Sequence, residues 1–359
     1  MKNIEILIIL IKAFGVRKLH LLILFIKSLH GCLNSIFLFF DYIFYPRFRK
    51  TKLSKPVFLI GHPRSGTTFM HRFIIENSDE FRSLNLYDML FPSLTSKKVS
   101  KRWIPKMEKI AFDKLYDPVI HKTGLYKAET EDVALFLRYF DGLLSWNYFF
   151  LHKNYKTEKD FEKKAIRKLS RNKYIIYLRN VYKRNLYKSD QRMLSKSFAL
   201  IFCFNKIVED YPDGKIILML RDPVYAIPSF ISLVSGVQNK MNKLDKQSEE
   251  IRNRFYSNFY KTSLLYYKKF HEIVSRNDTN PNLLMITHKE LMSDFDTAIN
   301  KIILFYDMKV TEKLSAAISD QIKKQTVFKS KHEYSLNDFG LSEEQVREDF
   351  AFIYKNYDV

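Results

Sequence analysis

Pro56-Val57-Phe58-Leu59-Ile60 runs directly into Gly61-His62-Pro63-Arg64-Ser65-Gly66-Thr67-Thr68, and that into Phe69-Met70-His71-Arg72-Phe73-Ile74-Ile75. The first piece is a short apolar run of the kind a buried parallel strand requires. The last piece is apolar at 69, 70, 73 and 74, which is helical spacing. A strand, a glycine-bracketed loop and a helix together aim several backbone N–H groups at one anion. The helix N-terminus adds about half a unit of positive charge. Against the nucleotide-triphosphate pattern G-x-x-x-x-G-K-[ST], Gly61 and Gly66 are correctly spaced, but Thr67 stands where the lysine belongs. The cation sits inside the loop as Arg64, and the hydroxyl pair Thr67-Thr68 follows the second glycine. Such a loop suits a less charged group held without a metal, and a phosphosulfate is such a group. The two glycines alone would fit an ordinary strand–turn–helix corner. The unit Pro63–Thr68 is far rarer and favours the anion site.

A second stretch repeats the logic. Pro212-Asp213-Gly214 is a turn, and Lys215–Leu220 is another buried-strand candidate. It ends at Arg221-Asp222-Pro223, so Arg221 lies at the C-terminal end of a strand, where ligands bind in open α/β sheets. Ser229 follows inside or near the next helix. An arginine fork and a helix hydroxyl can converge on one phosphate. Taken alone, Ser229 reads as a helix-capping or solvent-facing residue.

The remaining sequence sets bounds. A chain of 359 residues with 46% hydrophobic and 28% charged residues can bury a core, in one large α/β domain or two smaller ones. The net charge of +21 is spread along the length, as a codon bias toward Lys would also produce. The aromatics are dispersed and no zinc spacing occurs, so nucleic acid is not an expected partner. Cys32 and Cys203 form neither a disulfide framework nor a metal site. Residues 4–46 are unusually apolar, but Lys12, Arg17, Lys18, Lys27 and Asp41 are expected to break every stretch before the ~20 residues of a membrane span. Two or three amphipathic helices remain, packed on the main domain or lying on a membrane surface. The division expected is an N-terminal helical extension, 1–50, and a main domain, 51–359.

These motifs resemble those of the sulfotransferases that use 3′-phosphoadenosine 5′-phosphosulfate (PAPS), in their bacterial branch. Pro63–Thr68 is similar to the family's 5′-phosphosulfate loop, and Arg221 with Ser229 to its 3′-phosphate site. Weaker likeness extends through Phe81–Pro92, His288-Lys289-Glu290-Leu291, and Lys331-His332-Glu333-Tyr334-Ser335-Leu336 ahead of Phe339-Gly340-Leu341. The resemblance implies an α/β, P-loop-like three-layer domain with a mostly parallel sheet flanked by helices. It implies PAPS as cosubstrate, no metal requirement and a hydroxyl acceptor. Arg64, Ser65, Gly66, Thr67, Thr68, Arg221 and Ser229 would hold the cosubstrate. Cytosolic members carry lysine at the position of Arg64. They also carry a Lys-Thr-His segment that corresponds here to Lys196-Ser197-Phe198, so Lys196 is retained and the basic histidine is not.

The acceptor's base must then lie elsewhere. Ala128-Glu129-Thr130-Glu131-Asp132-Val133 is an acidic cluster before a helical pattern, and Glu129 and Asp132 would share a helix face. Bacterial members carry an acidic motif in this region, which places Glu129 first as base, then Glu131 and Asp132, with His62 and His121 outside candidates. Acids in a first helical turn also simply complement the helix dipole. The acceptor pocket is expected from 86–160 and 236–280, with Tyr139–Phe150 read as core before sugar platform. Stretch 245–276 reads as a lid or a dimer surface. A carbohydrate, lipid-linked or small alcohol is the acceptor class, and the cytoplasm, with contact at the inner membrane face, the location. The competing readings are a kinase-like phosphotransferase and a non-catalytic anion-binding or membrane-associated protein.

Overall fold

A computed structural model of the chain describes residues 2–102, 124–327 and 335–359. His121 and the segment 331–334 lie outside the described residues. The chain divides into two compact units, one of Met1–Lys52, Leu84–Lys188 and Ile231–Thr262, the other of Leu53–Ser83, Ser189–Phe230 and Ser263–Val359.

The first unit is helical. It opens with α1 (Lys2–Phe14) and α2 (Lys18–Phe44), the amphipathic pair expected from the sequence. The expected interruption by charges is corrected here. α2 runs unbroken for 27 residues through Lys27, and is long and apolar enough to cross a membrane by length and composition. A charged side chain leaves the backbone ladder intact. The break between the helices comes instead at Gly15, with φ +73°, and at extended Arg17. The next stop is Pro46, which disfavours helix in the residue before it. One face of α2 is fastened by polar contacts. Asp41, fully buried, accepts from Arg184 Nε at 2.7 Å, Ser93 Oγ at 2.7 Å and Thr95 Oγ1 at 2.8 Å. The aromatic stretch 139–150 supplies core: Phe140, Trp146, Phe149 and Phe150 are buried, and Trp146 Nε1 donates to Thr262 Oγ1.

The second unit contains the sheet. Strands β1 (Val57–Gly61), β2 (Phe81–Arg82), β3 (Arg192–Lys196), β4 (Lys215–Leu220) and β5 (Leu283–Thr287) lie in the order β2-β3-β1-β4-β5. Every pairing is parallel, as a P-loop-like α/β fold requires. β1 is central because all five of its residues are buried, a burden only an apolar strand carries. Leu59 aligns with Lys196 on one side and Ile217 on the other, and Gly61 with Met219. Helix α3 (Thr67–Asn77) returns over the sheet, and Met70 and Ile74 enter a core with Leu59, Met219, Ile286 and Phe295. Each such side chain contributes about 1.5–3 kcal/mol on burial. With all strands parallel, Gly61, Lys196, Leu220 and Thr287 end along one edge of the sheet.

Candidate anion-binding site

That edge carries the phosphate-type loop. Ser65 N and Ser65 Oγ both donate to His62 O, at 3.1 and 2.7 Å, and close the turn tightly. Gly61 cannot carry a side chain, since a Cβ would lie 2.6 Å from Ser65 Oγ and 2.8 Å from Met219 O. Gly66 has φ +87°, and a Cβ there would meet Leu291 at 3.2 Å and His288 at 3.4 Å. The first intrahelical bond of α3 is Met70 N to Gly66 O. The amides of Thr67, Thr68 and Phe69 therefore precede the ladder and point past its N-terminus. Arg64 holds φ +75°, a left-handed conformation that a long side chain adopts only when its surroundings impose it.

The surroundings are the second motif. Arg64 Nε donates to Ser229 Oγ at 3.0 Å, and Arg221 Nη1 donates to Arg64 O at 2.8 Å. Ser229 is 3% exposed and lies within the helix Pro223–Asn242, as the spacing predicts. The N-terminus of that helix is closed by Asp222, whose carboxylate accepts from Val224 N at 2.9 Å and from Tyr354 Oη at 2.7 Å. Arg221 O accepts from Tyr267 Oη at 2.8 Å, so the strand end is fixed on both sides of the residue. Arg221 is thus half-buried and structural to the loop as well as cationic, more than the solvent-facing strand end its sequence position suggests.

Lys196 closes the set. It ends β3, is 1% exposed, and its Nζ donates to Thr68 Oγ1 at 2.8 Å. Arg64, Ser65, Gly66, Thr67, Thr68, Lys196, Arg221 and Ser229 are brought together in one unit. Glu129 belongs to the helical unit, and the helix face expected for Glu129 and Asp132 does not form. Ala128 bridges Asn85, and Glu129 N donates to Leu84 O at 3.2 Å, so this backbone is extended; the helix starts only at Asp132. Glu129 itself is 5% exposed. Asp132 accepts from Thr130 Oγ1 at 2.6 Å, and Glu131 accepts from Tyr182 Oη.

Three histidines near the loop were not legible as a group. Burial pushes His62 down to about 3, with Arg221 adding to the effect, and His288 down to about 4 for the same two reasons. Burial, then Lys196 and Arg72, hold His71 well below its ordinary value. His62 Nδ1 donates to Pro63 O at 2.8 Å, so Nε2 is left to accept from Ser263 Oγ at 3.1 Å. All three are neutral at physiological pH, and the positive charge around the loop comes from Arg64, Arg221, Lys196 and the amides. His288, like Arg221, is legible as a polar residue directly after an apolar strand, here β5.

Comparison with the curated proteins finds no matching sequence. Among solved structures, the chain resembles sulfotransferase STF1 from Mycobacterium tuberculosis H37Rv at TM-score 0.71 and 16% identity, over 98% of this chain and 92% of that one. It resembles sulfotransferase STF9 from Mycobacterium avium at TM-score 0.72 and 14% identity, over 96% and 87%. At these identities the likeness establishes the fold. The sequence itself matches the model of the sulfotransferase family across residues 56–312, from the first residue before β1 to beyond β5, and the chain belongs to that family.

Proposed function

We propose that the protein transfers a sulfuryl group from PAPS to an acceptor hydroxyl by in-line displacement. The observation that carries this reading is the Ser229–Arg64–Arg221 linkage, which joins a phosphate-type loop to a strand-end arginine. Two anion sites so joined fit a nucleotide with phosphate groups at both its 5′ and 3′ positions. The loop amides and Arg64 would hold the 5′-phosphosulfate, and Arg221 with Ser229 the 3′-phosphate. PAPS supplies an activated sulfur–oxygen bond; the protein's part is positioning and charge stabilisation. Lys196, fixed against Thr68, would neutralise charge on the bridging oxygen as that bond breaks. The acceptor oxygen forms the new bond to sulfur, adenosine 3′,5′-bisphosphate leaves, and Glu129 is assigned the acceptor's proton on the sequence reading of the acidic cluster. The acceptor class is a carbohydrate, lipid-linked or small alcohol, and the expected location is the cytoplasm.

Calorimetry tests the reading. Adenosine 3′,5′-bisphosphate is titrated with and without EDTA, beside adenosine 5′-monophosphate and Mg·ATP. Metal-independent binding that requires the 3′-phosphate supports it. Preference for Mg·ATP would move the protein to the phosphotransferases, and binding of none would leave a non-catalytic protein.

A further inference from the structure

α2 is inside out. His20, Asn34 and Asp41 are separated by about four and about two helical turns, lie on one face, and are buried. On the opposite face Leu22, Ile26, Leu29, Leu33 and Ile36 recur at alternating steps of four and three, Ile43 follows one heptad on, and all six are 46–55% exposed. α1 continues the pattern with Ile4, Ile8 and Ile11 exposed at 60%, 47% and 37%. Only 6% of the most apolar window of α2 is buried. A contiguous apolar stripe of this length on a surface marks an interaction site.

Charge identifies what covers it. Residues 1–52 contain nine Lys or Arg (2, 12, 17, 18, 27, 47, 49, 50 and 52) and only two acids, Glu5 and Asp41. Asp41 is buried against Arg184, and Glu5 is paired with Lys168 at 2.9 Å and Lys153 at 3.7 Å. The exposed side of the segment is therefore apolar with a basic border, the combination that binds anionic lipid surfaces.

The polar face decides the orientation. His20 Nε2 pairs with Asn242 Oδ1 at 2.8 Å, His30 and Asn34 reach Leu90 O at 3.0 and 3.2 Å, and Asp41 takes Arg184. α2 is tied to its unit along its whole length. Crossing a bilayer would either sever these bonds in hydrocarbon or carry Arg184 and its neighbours into it. We propose that α1 and α2 dock the protein on an anionic membrane, with α2 lying in the plane of the interface and its 22–43 stripe in the acyl boundary. This inference stands independently of the reaction proposed above.

The full chain is sedimented with phosphatidylcholine vesicles and with vesicles containing phosphatidylglycerol. Binding to the anionic vesicles, weakened by salt and reduced at least about tenfold in a Leu29→Gln/Leu33→Gln/Ile36→Gln variant, is expected. These side chains are half exposed, so the variant keeps its fold, checked by melting temperature. Cys32 is exposed near the middle of α2, whereas Cys203 is buried, so a fluorophore on Cys32 reports depth. Quenching by lipids brominated near the headgroup is expected. Quenching by lipids brominated at the chain end would mean a spanning helix and overturn the in-plane orientation. Absence of vesicle binding, or a triple variant that binds as well as the parent, overturns the proposal. So does a variant that only converts a dimer to a monomer, since a second copy would then cover the stripe.

Discussion

Arg221→Ala separates two roles of one side chain, a bond seen in the structure and a phosphate contact proposed above. The guanidinium donates to Arg64 O at 2.8 Å, and by the reading above it also contacts the 3′-phosphate. Both contacts use the charged guanidinium, and a hydrogen bond that involves a charged group contributes about 1.5–3 kcal/mol. At 1.4 kcal/mol per tenfold, each corresponds to roughly 10- to 150-fold in affinity. Both are lost for adenosine 3′,5′-bisphosphate, so its Kd should rise by roughly 100- to 20,000-fold. Adenosine 5′-monophosphate has no 3′-phosphate and should lose only the loop share. Calorimetry on both ligands, with parent and variant, isolates the difference, and a melting curve checks that the fold persists. Equal weakening of the two ligands would refute the reasoning: Arg221 would then act only through the loop, and the 3′-phosphate would bind elsewhere.

Lys196→Ala should lower turnover by about 10²–10³-fold with a much smaller change in nucleotide Kd, read from initial rates beside calorimetry; equal losses would make Lys196 a binding residue only. Glu129→Gln should lower kcat by about 10²–10⁴-fold with nucleotide affinity unchanged, and full activity in that variant would remove Glu129 as base. Gly66→Ala forces a Cβ to φ +87° and to 3.2 Å from Leu291; a loss of about 1–2 kcal/mol in denaturant stability should accompany loss of nucleotide binding. His62 and His288, held at about 3 and about 4 in the fold, are expected near 6.5 when unfolded. The unfolded chain takes up their protons first below that pH, so stability should fall on acidification from about 6.5 toward 4, by up to about 1.4 kcal/mol per pH unit for each histidine. Urea midpoints measured across that range check the slope, and His62→Gln should flatten it.

β1 and β4 were legible because each is an apolar run stopped by unmistakable punctuation, Gly61 in one case and Arg221-Asp222-Pro223 in the other. β2 has only two residues, and β3 mixes Arg192, Ser195 and Lys196 with two apolar positions. Neither has a periodicity to detect; they are strands because neighbours pair with them. The loop residues were found through glycine spacing, but the bond from Arg64 to Ser229 joins positions far apart in sequence and belongs to the tertiary structure. The acidic cluster misled for a local reason. Helical spacing in the sequence reaches back to Glu129 across Thr130, whose hydroxyl instead bonds the Asp132 carboxylate just where the helix starts. In α2 the charges read as interruptions in the sequence, whereas Asp41 is a fastening point inside the unit and Lys27 leaves the backbone ladder untouched.

That fastening point constrains how the protein can be shortened. Removing the apolar helices to ease purification would delete Asp41 and leave Arg184, whose side chain is 2% exposed, without its counter-charge. Stranding one member of a buried pair costs about 3–5 kcal/mol, and Ser93 and Thr95 would lose their acceptor as well. The residues of the chain that look most dispensable by composition are therefore part of the folding unit. A truncation that also replaced Arg184 with an apolar residue of similar volume would be the rational way to obtain a smaller, more soluble form.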